Sequence, residues 1–297
     1  MTRERSGDYY ALICAVVCAL GNIPAKAALE NLTPELFQLF FFGFGFLMSA
    51  TYLVRFKARR EVFSTTPKAF ILIMILSVVF SLGIYTFISS LKLIEPATVS
   101  FLSRFEVLAT LIFAFIFLKE RLRPIEIIGG IITIGGIVIL KFKTNLVISQ
   151  AATLMILSAL FFATAEIIIK KYINLIGTIR FIFWRNLFMI FIFYGFLIYQ
   201  NQPFLLPGFR SLLLIAAAAF LLPVMGRITY IEALKRIKIS RAALITQSTP
   251  LFTAIFALII LGTYPTPIEW LGGGLIIAGV VVIKLKVGRS KYNNNCT

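Results

Sequence analysis

Ionisable residues inside long apolar runs are the part of this sequence that could do chemistry. Glu106, Glu166, Arg185 and Arg227 each lie within such a run. Placing a charge in hydrocarbon costs about 2.5–3.5 kcal/mol on insertion scales, so such residues usually face a cavity or an opposite charge. We predict that all four line one polar cavity. Glu166 is also expected to form a local pair with Lys170, four residues later on the same helical face.

Hydroxyl side chains form two stripes at equivalent places in the chain. They are Ser103 and Thr110, which share a helical face with Glu106, and Thr246, Thr249 and Thr253. Residues three or four apart lie on one side of a helix, so we interpret the stripes as two walls of the cavity. Glu106 could exchange a proton there or bind the amino group of a zwitterion. The alternatives are that Glu106 only holds helices together and that the arginines extend to lipid headgroups.

The composition places the chain in a membrane. Of its 297 residues, 60% are hydrophobic and 14% are charged, whereas soluble domains carry about 25% charged residues, and the mean hydropathy is +0.96. The net charge of +17 comes from basic residues in short breaks between apolar runs. In such breaks they orient helices, so no nucleic-acid partner is expected.

Neither a metal site nor a cofactor is expected. The sequence has no histidine, which makes a zinc site unfavourable. Its three cysteines, Cys14, Cys18 and Cys296, have neither the spacing of a disulfide framework nor that of a thiolate metal site. The cavity is therefore expected to act through its carboxylates, guanidinium groups and hydroxyls.

The elements that must position these residues occur twice. Residues 91–141 slid by 143 positions match residues 234–284 at many points, for example Ile112-Phe113-Ala114 over Ile255-Phe256-Ala257. We predict two units, residues 1–145 and 146–297. Ten apolar runs of near membrane-spanning length lie at about 9–29, 35–54, 69–90, 96–118, 124–140, 150–169, 181–199, 211–232, 241–261 and 267–283. The expectation is an all-α membrane protein with ten transmembrane helices.

The basic residues give the orientation. Twenty-one lysines and arginines fall at the two ends and in alternate breaks, against four in the remaining breaks. Because positive residues collect on the cytoplasmic side, both termini are predicted to lie in the cytoplasm of a cell-membrane protein. Five spans per unit would make the second unit cross upside down, so the prediction is two inverted five-helix repeats, with a site near the midplane.

The run LKERLRPIEIIGGIITIGGIVIL at 118–140 and its echo PTPIEWLGGGLIIAGVVVI at 265–283 resemble the EamA branch of the drug/metabolite transporter superfamily. The resemblance covers nearly the whole chain and includes the acidic residue that ends the fourth span of a repeat, present here as Glu120. The second copy has Thr263 at that place. The resemblance implies a secondary transporter that works by alternating access. Amino acids are a common substrate of the family.

The residues favour the same function. Both charge signs near the predicted midplane suit a small polar metabolite with an anionic or zwitterionic head. Export is the predicted direction, but no residue decides it. A channel, a facilitator or a non-transporting scaffold is the alternative. An intramembrane enzyme is least favoured, because the sequence has no histidine and no Gly-x-Ser-x-Gly elbow.

The expected partners are a small-molecule substrate and the lipid bilayer. Small residues repeat at close spacing, as Gly129-Gly130 and Gly272-Gly273. Such residues allow close approach of helices. They predict tight packing either within one chain or between the two chains of a homodimer, and the sequence leaves both open.

Overall fold

The computed structural model describes residues 3–55, 59–91, 105–120 and 150–261, and none of these residues lies in a strand. The helices are α1 (Arg3–Leu29), α2 (Pro34–Arg55), α3 (Arg59–Phe63), α4 (Pro67–Leu91), α5 (Phe105–Leu118), α6 (Gln150–Ile176), α7 (Thr178–Tyr199), α8 (Phe209–Ala219), a π-helical segment (Phe220–Gly226), α9 (Arg227–Leu234), α10 (Ile239–Thr246) and α11 (Thr249–Leu261). The described part of the chain is therefore all-α.

The prediction of ten transmembrane helices is wrong for this structure. The described residues contain seven helical stretches long and apolar enough to cross a membrane, and one shorter apolar helix, Glu106–Leu118. Of the fourth predicted span, 96–118, the structure describes the part from residue 105 on, and its helix α5 has 14 residues, or about 21 Å at 1.5 Å per residue; residues 96–104 lie outside the described residues. The runs predicted at 124–140 and 267–283, with their repeated glycines, lie outside the described residues.

The arrangement as two inverted five-helix repeats was deduced from the count of ten and is corrected with it. The seven membrane-crossing stretches are Arg3–Leu29, Pro34–Arg55, Pro67–Ser90, Thr153–Ile176, Thr178–Tyr199, Phe209–Leu234 and Ile239–Ile260. The last two each join more than one helix, α8 to α9 and α10 to α11. The hydropathy of a segment does not show whether the segment is one helix or several joined helices. The division at residues 145 and 146 stays a prediction.

Helix packing places α1 beside the whole later part of the chain. It contacts α8, the π-helical segment, α9, α10 and α11, while α4 packs along α6, α2 along α7, and α5 against both α6 and α10. Apolar side chains fill these contacts, including Phe181 and Phe193, which are almost fully buried. A cavity lies between these helices, lined by residues of α1, α2, α4, α5, α6, α7, the π-helical segment and α9 to α11.

The span from Phe209 to Leu234 changes helix type at its centre. Pro223 lies within the π-helical segment. Proline has no backbone N–H to donate and its ring clashes with the preceding turn, so it disrupts an α-helix, and single π turns often occur at functional sites. The segment packs against both α1 and α2. It therefore puts an irregular backbone in the middle of the bundle.

Polar contacts close one end of the bundle. Arg241 on α10 donates from Nε and Nη2 to the two carboxylate oxygens of Asp8 on α1, at 2.8 and 2.9 Å, and both side chains are 6% exposed. Glu120 accepts hydrogen bonds from the backbone N–H groups of Ile239 and Ser240, at 3.1 and 3.3 Å. Asp8 precedes the first predicted apolar run, which begins at about residue 9. In the structure it fixes α1 to α10.

Candidate functional site

Two adjoining cavities form the candidate site. The larger has a volume of about 510 Å³ and the smaller about 200 Å³. They share five lining residues, Cys18, Glu106, Glu166, Leu222 and Arg227. The larger volume lies in the range of about 300–1,000 Å³ typical of small-molecule sites. The two cavities therefore form one site with two lobes.

The ion pair between Glu166 and Arg227 stands at the junction of the lobes. Arg227 Nη1 donates to Glu166 Oε1 at 2.6 Å, and its guanidinium lies 4.9 Å from the centre of the Phe80 ring. The predicted local pair of Glu166 with Lys170 is not the one found. Lys170 Nζ instead donates to the carbonyls of Leu234 and Ile237, because the carbonyl-rich end of α9 attracts a cation.

Arg185 on α7 lines the larger lobe. It is 3% exposed and its Nη2 donates to Asn186 Oδ1 at 3.1 Å and to the carbonyl of Pro223 at 3.2 Å. Its guanidinium also lies over the rings of Phe42 and Phe181, at 5.8 and 5.4 Å from the ring centres. Arg185 thus holds the π-helical segment. Arg185 and Arg227 both contact other helices of the bundle. These contacts do not match the alternative, in which the arginines extend to lipid headgroups.

The hydroxyl stripes meet in the smaller lobe. Glu106, near the start of α5, lines both lobes, and Thr110 lines the smaller one from the next turn of the helix. Thr246 and Thr249 line the smaller lobe from the junction of α10 and α11. Thr253, one turn further along α11, donates to the carbonyl of Thr249 at 3.0 Å. As defined by the described residues, neither lobe includes it, and Ser103 lies outside the described residues.

Several lining residues have no counterpart in the sequence prediction. Tyr230 and Gln247 line the smaller lobe. Gln247 stands beside Thr246 in a short polar run, a signal that could have identified it. Aromatic rings also line the larger lobe, and no phenylalanine was singled out from the sequence. They are Phe41, Phe42, Phe80 and Phe162.

The charges of the larger lobe balance. Its lining contains two carboxylates, Glu106 and Glu166, and two guanidinium groups, Arg185 and Arg227. Aromatic and aliphatic side chains surround them, so the charges act in a medium that screens them less than water does. A site of this kind can bind a molecule that carries both a positive and a negative group.

The comparison with protein families decides to which class of protein the chain belongs. The sequence profile of the EamA-like transporter family matches residues 5–142 and matches again at residues 149–285. The chain belongs to this family. An EamA-family chain is an integral membrane protein of a transporter family, and its apolar helices agree with that assignment. Members of the family are transporters rather than enzymes.

Two further proteins resemble this EamA-family chain. An uncharacterized transporter of Synechocystis sp. is 24% identical to it over 220 residues, which cover 68% of this chain and 62% of the relative. The match thus spans less than two thirds of the relative's length. A crystal structure of a protein superposes with a TM-score of 0.80 at 16% identity, covering 97% of this chain and 98% of that one. At this identity the second likeness concerns the fold alone.

Proposed function

We propose that this EamA-family chain is a secondary transporter of small zwitterionic or anionic metabolites, such as amino acids, and that it exports them by alternating access. The substrate would bind in the larger lobe, between the carboxylates and the guanidinium groups that line it. The balanced charges of the lobe support a ligand with both signs. The aromatic walls support one that also carries an apolar side chain.

One observation gives the strongest support to the proposed substrate class. Among the described residues, Glu166 Oε2 and Arg185 Nε are buried and have no hydrogen-bond partner. Leaving a buried polar group unpaired costs about 1–3 kcal/mol, and more when the group is charged. An ammonium group could donate to Glu166 Oε2, and a carboxylate could accept from Arg185 Nε. A zwitterion supplies both partners in one molecule.

The π-helical segment supports alternating access. It divides the span from Phe209 to Leu234 into α8 and α9, and both cavity-lining cations contact it or adjoin it. Arg185 donates to the carbonyl of Pro223, and Arg227 is the first residue of α9. Binding between these cations and Glu166 would therefore act on the backbone where the span is least regular. We propose that α8 and α9 move relative to each other there.

The flux test uses purified protein in liposomes. We expect saturable uptake of a zwitterionic amino acid that is accelerated by unlabelled amino acid on the opposite side, because an alternating-access carrier exchanges substrate. Glu166→Gln should weaken binding by about 30-fold or more, since removing one partner of a buried hydrogen-bonded charge pair costs about 2–5 kcal/mol. Glu232→Gln is the matched control, because Glu232 pairs with Lys235 and Arg236 and lines neither lobe.

Other results would contradict the proposal. Non-saturable flux without counterflow would indicate the alternative, a channel or facilitator, and absence of flux for every amino acid tested would indicate a scaffold or another substrate class. Equal loss of flux in Glu166→Gln and Glu232→Gln would show that the cavity lined by Glu166 has no special role in transport. Vesicles of opposite orientation give the direction, since an exporter should accumulate substrate in inside-out vesicles.

We further propose that the protein resides in the cell membrane with both termini in the cytoplasm. The basic residues that support this orientation include Lys68, which is exposed and precedes the apolar part of α4. A cysteine at Lys68 should react only with a cytoplasmic reagent, and one at Gln202, in the connection after α7, only with an external reagent. Labelling of both from one side would refute the orientation.

A further inference from the structure

Two cysteines in the cavity wall have no role in the transport proposal. Cys14 and Cys18 lie one turn apart on α1, and their sulfur atoms are 3.8 Å apart. Both line the smaller lobe, and Cys18 also lines the larger one. Cys14 is buried and Cys18 is half-buried. The pair is therefore reachable from the cavity through Cys18.

The sulfur atoms are held against the backbone of the π-helical segment. The Cys14 thiol donates to the carbonyl of Gly226 at 3.4 Å. A Cβ atom added at Gly226 would lie 2.9 Å from Cys18 Sγ, closer than such atoms approach one another, so glycine at this position makes room for the sulfur. These contacts fix both thiols on one side of α1, facing the site.

The distance between the sulfurs suits a bridging atom. A trivalent pyramidal centre that bonds both sulfurs through bonds of about 2.3 Å, at an angle of about 100°, holds them about 3.5 Å apart, so this pair would have to close by only about 0.3 Å. A disulfide requires about 2.05 Å between the sulfurs, so oxidation would have to draw this pair together by more than 1.5 Å. We propose that Cys14 and Cys18 form a dithiol site that takes one thiophilic centre, such as the arsenic of a trivalent organoarsenical, held by both sulfurs.

The site differs from a resident metal centre. Within residues 3–55, 59–91, 105–120 and 150–261, no group of three or more His, Cys, Asp or Glu side chains could hold a metal ion. A closed structural metal site uses four protein ligands. Two sulfurs alone suit a ligand that arrives with its own organic substituent and needs only two further bonds.

The reaction with phenylarsine oxide requires no oxidant. The Cys18 thiol, which lines both lobes, adds to arsenic first, and the Cys14 thiol then displaces the oxygen. Two As–S bonds form, the As–O bonds and two S–H bonds break, and the oxygen leaves as water with both thiol protons. Arsenic remains trivalent throughout, and both sulfurs keep their oxidation state.

Intact-mass measurement on the purified full chain tests the site. Cys296→Ser leaves Cys14 and Cys18 as the remaining cysteines, since the sequence has three. We expect one phenylarsenic group per chain, with the mass of a product that has lost water. A dithiol should remove the group and a monothiol should not, because two-point attachment raises retention by about 10²–10⁴-fold over one point.

Single variants provide the control. In Cys14→Ser and in Cys18→Ser, each also carrying Cys296→Ser, the arsenical should be released by a monothiol. Alanine at the same positions serves as a second pair where a serine variant is not monodisperse. No adduct in the two-cysteine protein, or an adduct as labile as that of the single variants, would overturn the proposal.

Flux measurements locate the adduct in the cavity, and this arm rests on the proposed transport function. We expect phenylarsine oxide to abolish amino-acid flux in the Cys296→Ser protein. The matched control removes all three cysteines and places a new pair at Ile13 and Val17, which has the same spacing on a neighbouring face of α1, where Ile13 is exposed. That pair should bind the arsenical, and the flux of this protein after treatment should equal the flux of the same protein before treatment.

The two proposals fail separately. If the protein carries no amino-acid flux, the transport proposal fails while the mass adduct still decides the dithiol site. If flux persists with the arsenical bound at Cys14 and Cys18, the placement of the adduct in the transport cavity is refuted. If the Ile13 and Val17 pair arrests flux equally, the effect belongs to α1 as a whole, which also refutes that placement.

Discussion

The buried pair of Asp8 and Arg241 gives the sharpest stability prediction. Both side chains are 6% exposed and make two hydrogen bonds with each other. Asp8→Asn keeps the shape of the side chain but leaves the charge of Arg241 without its carboxylate. Removing one partner of a buried pair costs about 3–5 kcal/mol, so we expect a loss of that size in the free energy of unfolding.

The assay is denaturant unfolding of purified protein in detergent. The double variant Asp8→Asn/Arg241→Gln should lose less than the sum of the two single losses, with a coupling of about 0.5–3 kcal/mol, because contacting residues are not additive. Lys235→Gln is the control. The ion pair of Lys235 with Glu232 has side chains 32% and 21% exposed, and exposed pairs contribute about 0–1 kcal/mol. A loss below about 1 kcal/mol for Asp8→Asn would refute the reasoning.

Three further predictions concern a close approach, a helix start and proton coupling. Gly45→Ala should destabilise the fold by about 1–3 kcal/mol, since its Cβ would lie 2.9 Å from Asn186 Nδ2. Gly43→Ala is the control, because a Cβ there would meet nothing within 4 Å. In the same unfolding assay Gly43→Ala should be neutral or stabilise the fold by up to about 1 kcal/mol. Glu120→Gln should lower the free energy of unfolding by up to about 3 kcal/mol, and an unchanged value would show that its bonds to the start of α10 add nothing. Glu106→Gln should abolish flux or remove its response to a pH gradient in liposomes, and native flux with native pH dependence would show that Glu106 is structural.

Periodicity within one helix was readable from the sequence. Glu106 and Thr110 are four residues apart and line the same lobe, as a helical repeat of 3.6 residues requires. The apolar runs also gave the membrane class. The predicted number of spans was wrong, since the described residues contain seven membrane-crossing stretches and one shorter apolar helix. An apolar run also does not show how the backbone is divided, as in the span from Phe209 to Leu234, where a π-helical segment separates α8 from α9.

Contacts between helices were not readable in the same way. Arg227 pairs with Glu166 from 61 positions away, whereas spacing along one helix suggested Lys170. Asp8 precedes the first predicted run, yet it is buried because α10 brings Arg241 against it. Cysteine and aromatic residues occur both in apolar cores and in binding sites, so their type alone does not show that they line the cavity. Only the packing of α1, α2 and α4 around the site distinguishes them from core residues.

The partial pairing of the site explains how one cavity can be both stable and receptive. Glu166 Oε1 is bound by Arg227, and Arg185 uses Nη2 on Asn186 and Pro223, so each charge has a partner within the bundle. Glu166 Oε2 and Arg185 Nε are left without one among the described residues. A purely anionic ligand would satisfy Arg185 and leave the carboxylate oxygen unpaired, and a cationic ligand would do the reverse. Because each unpaired buried group costs about 1–3 kcal/mol, the site should prefer a zwitterion to either single-charge analogue of the same size.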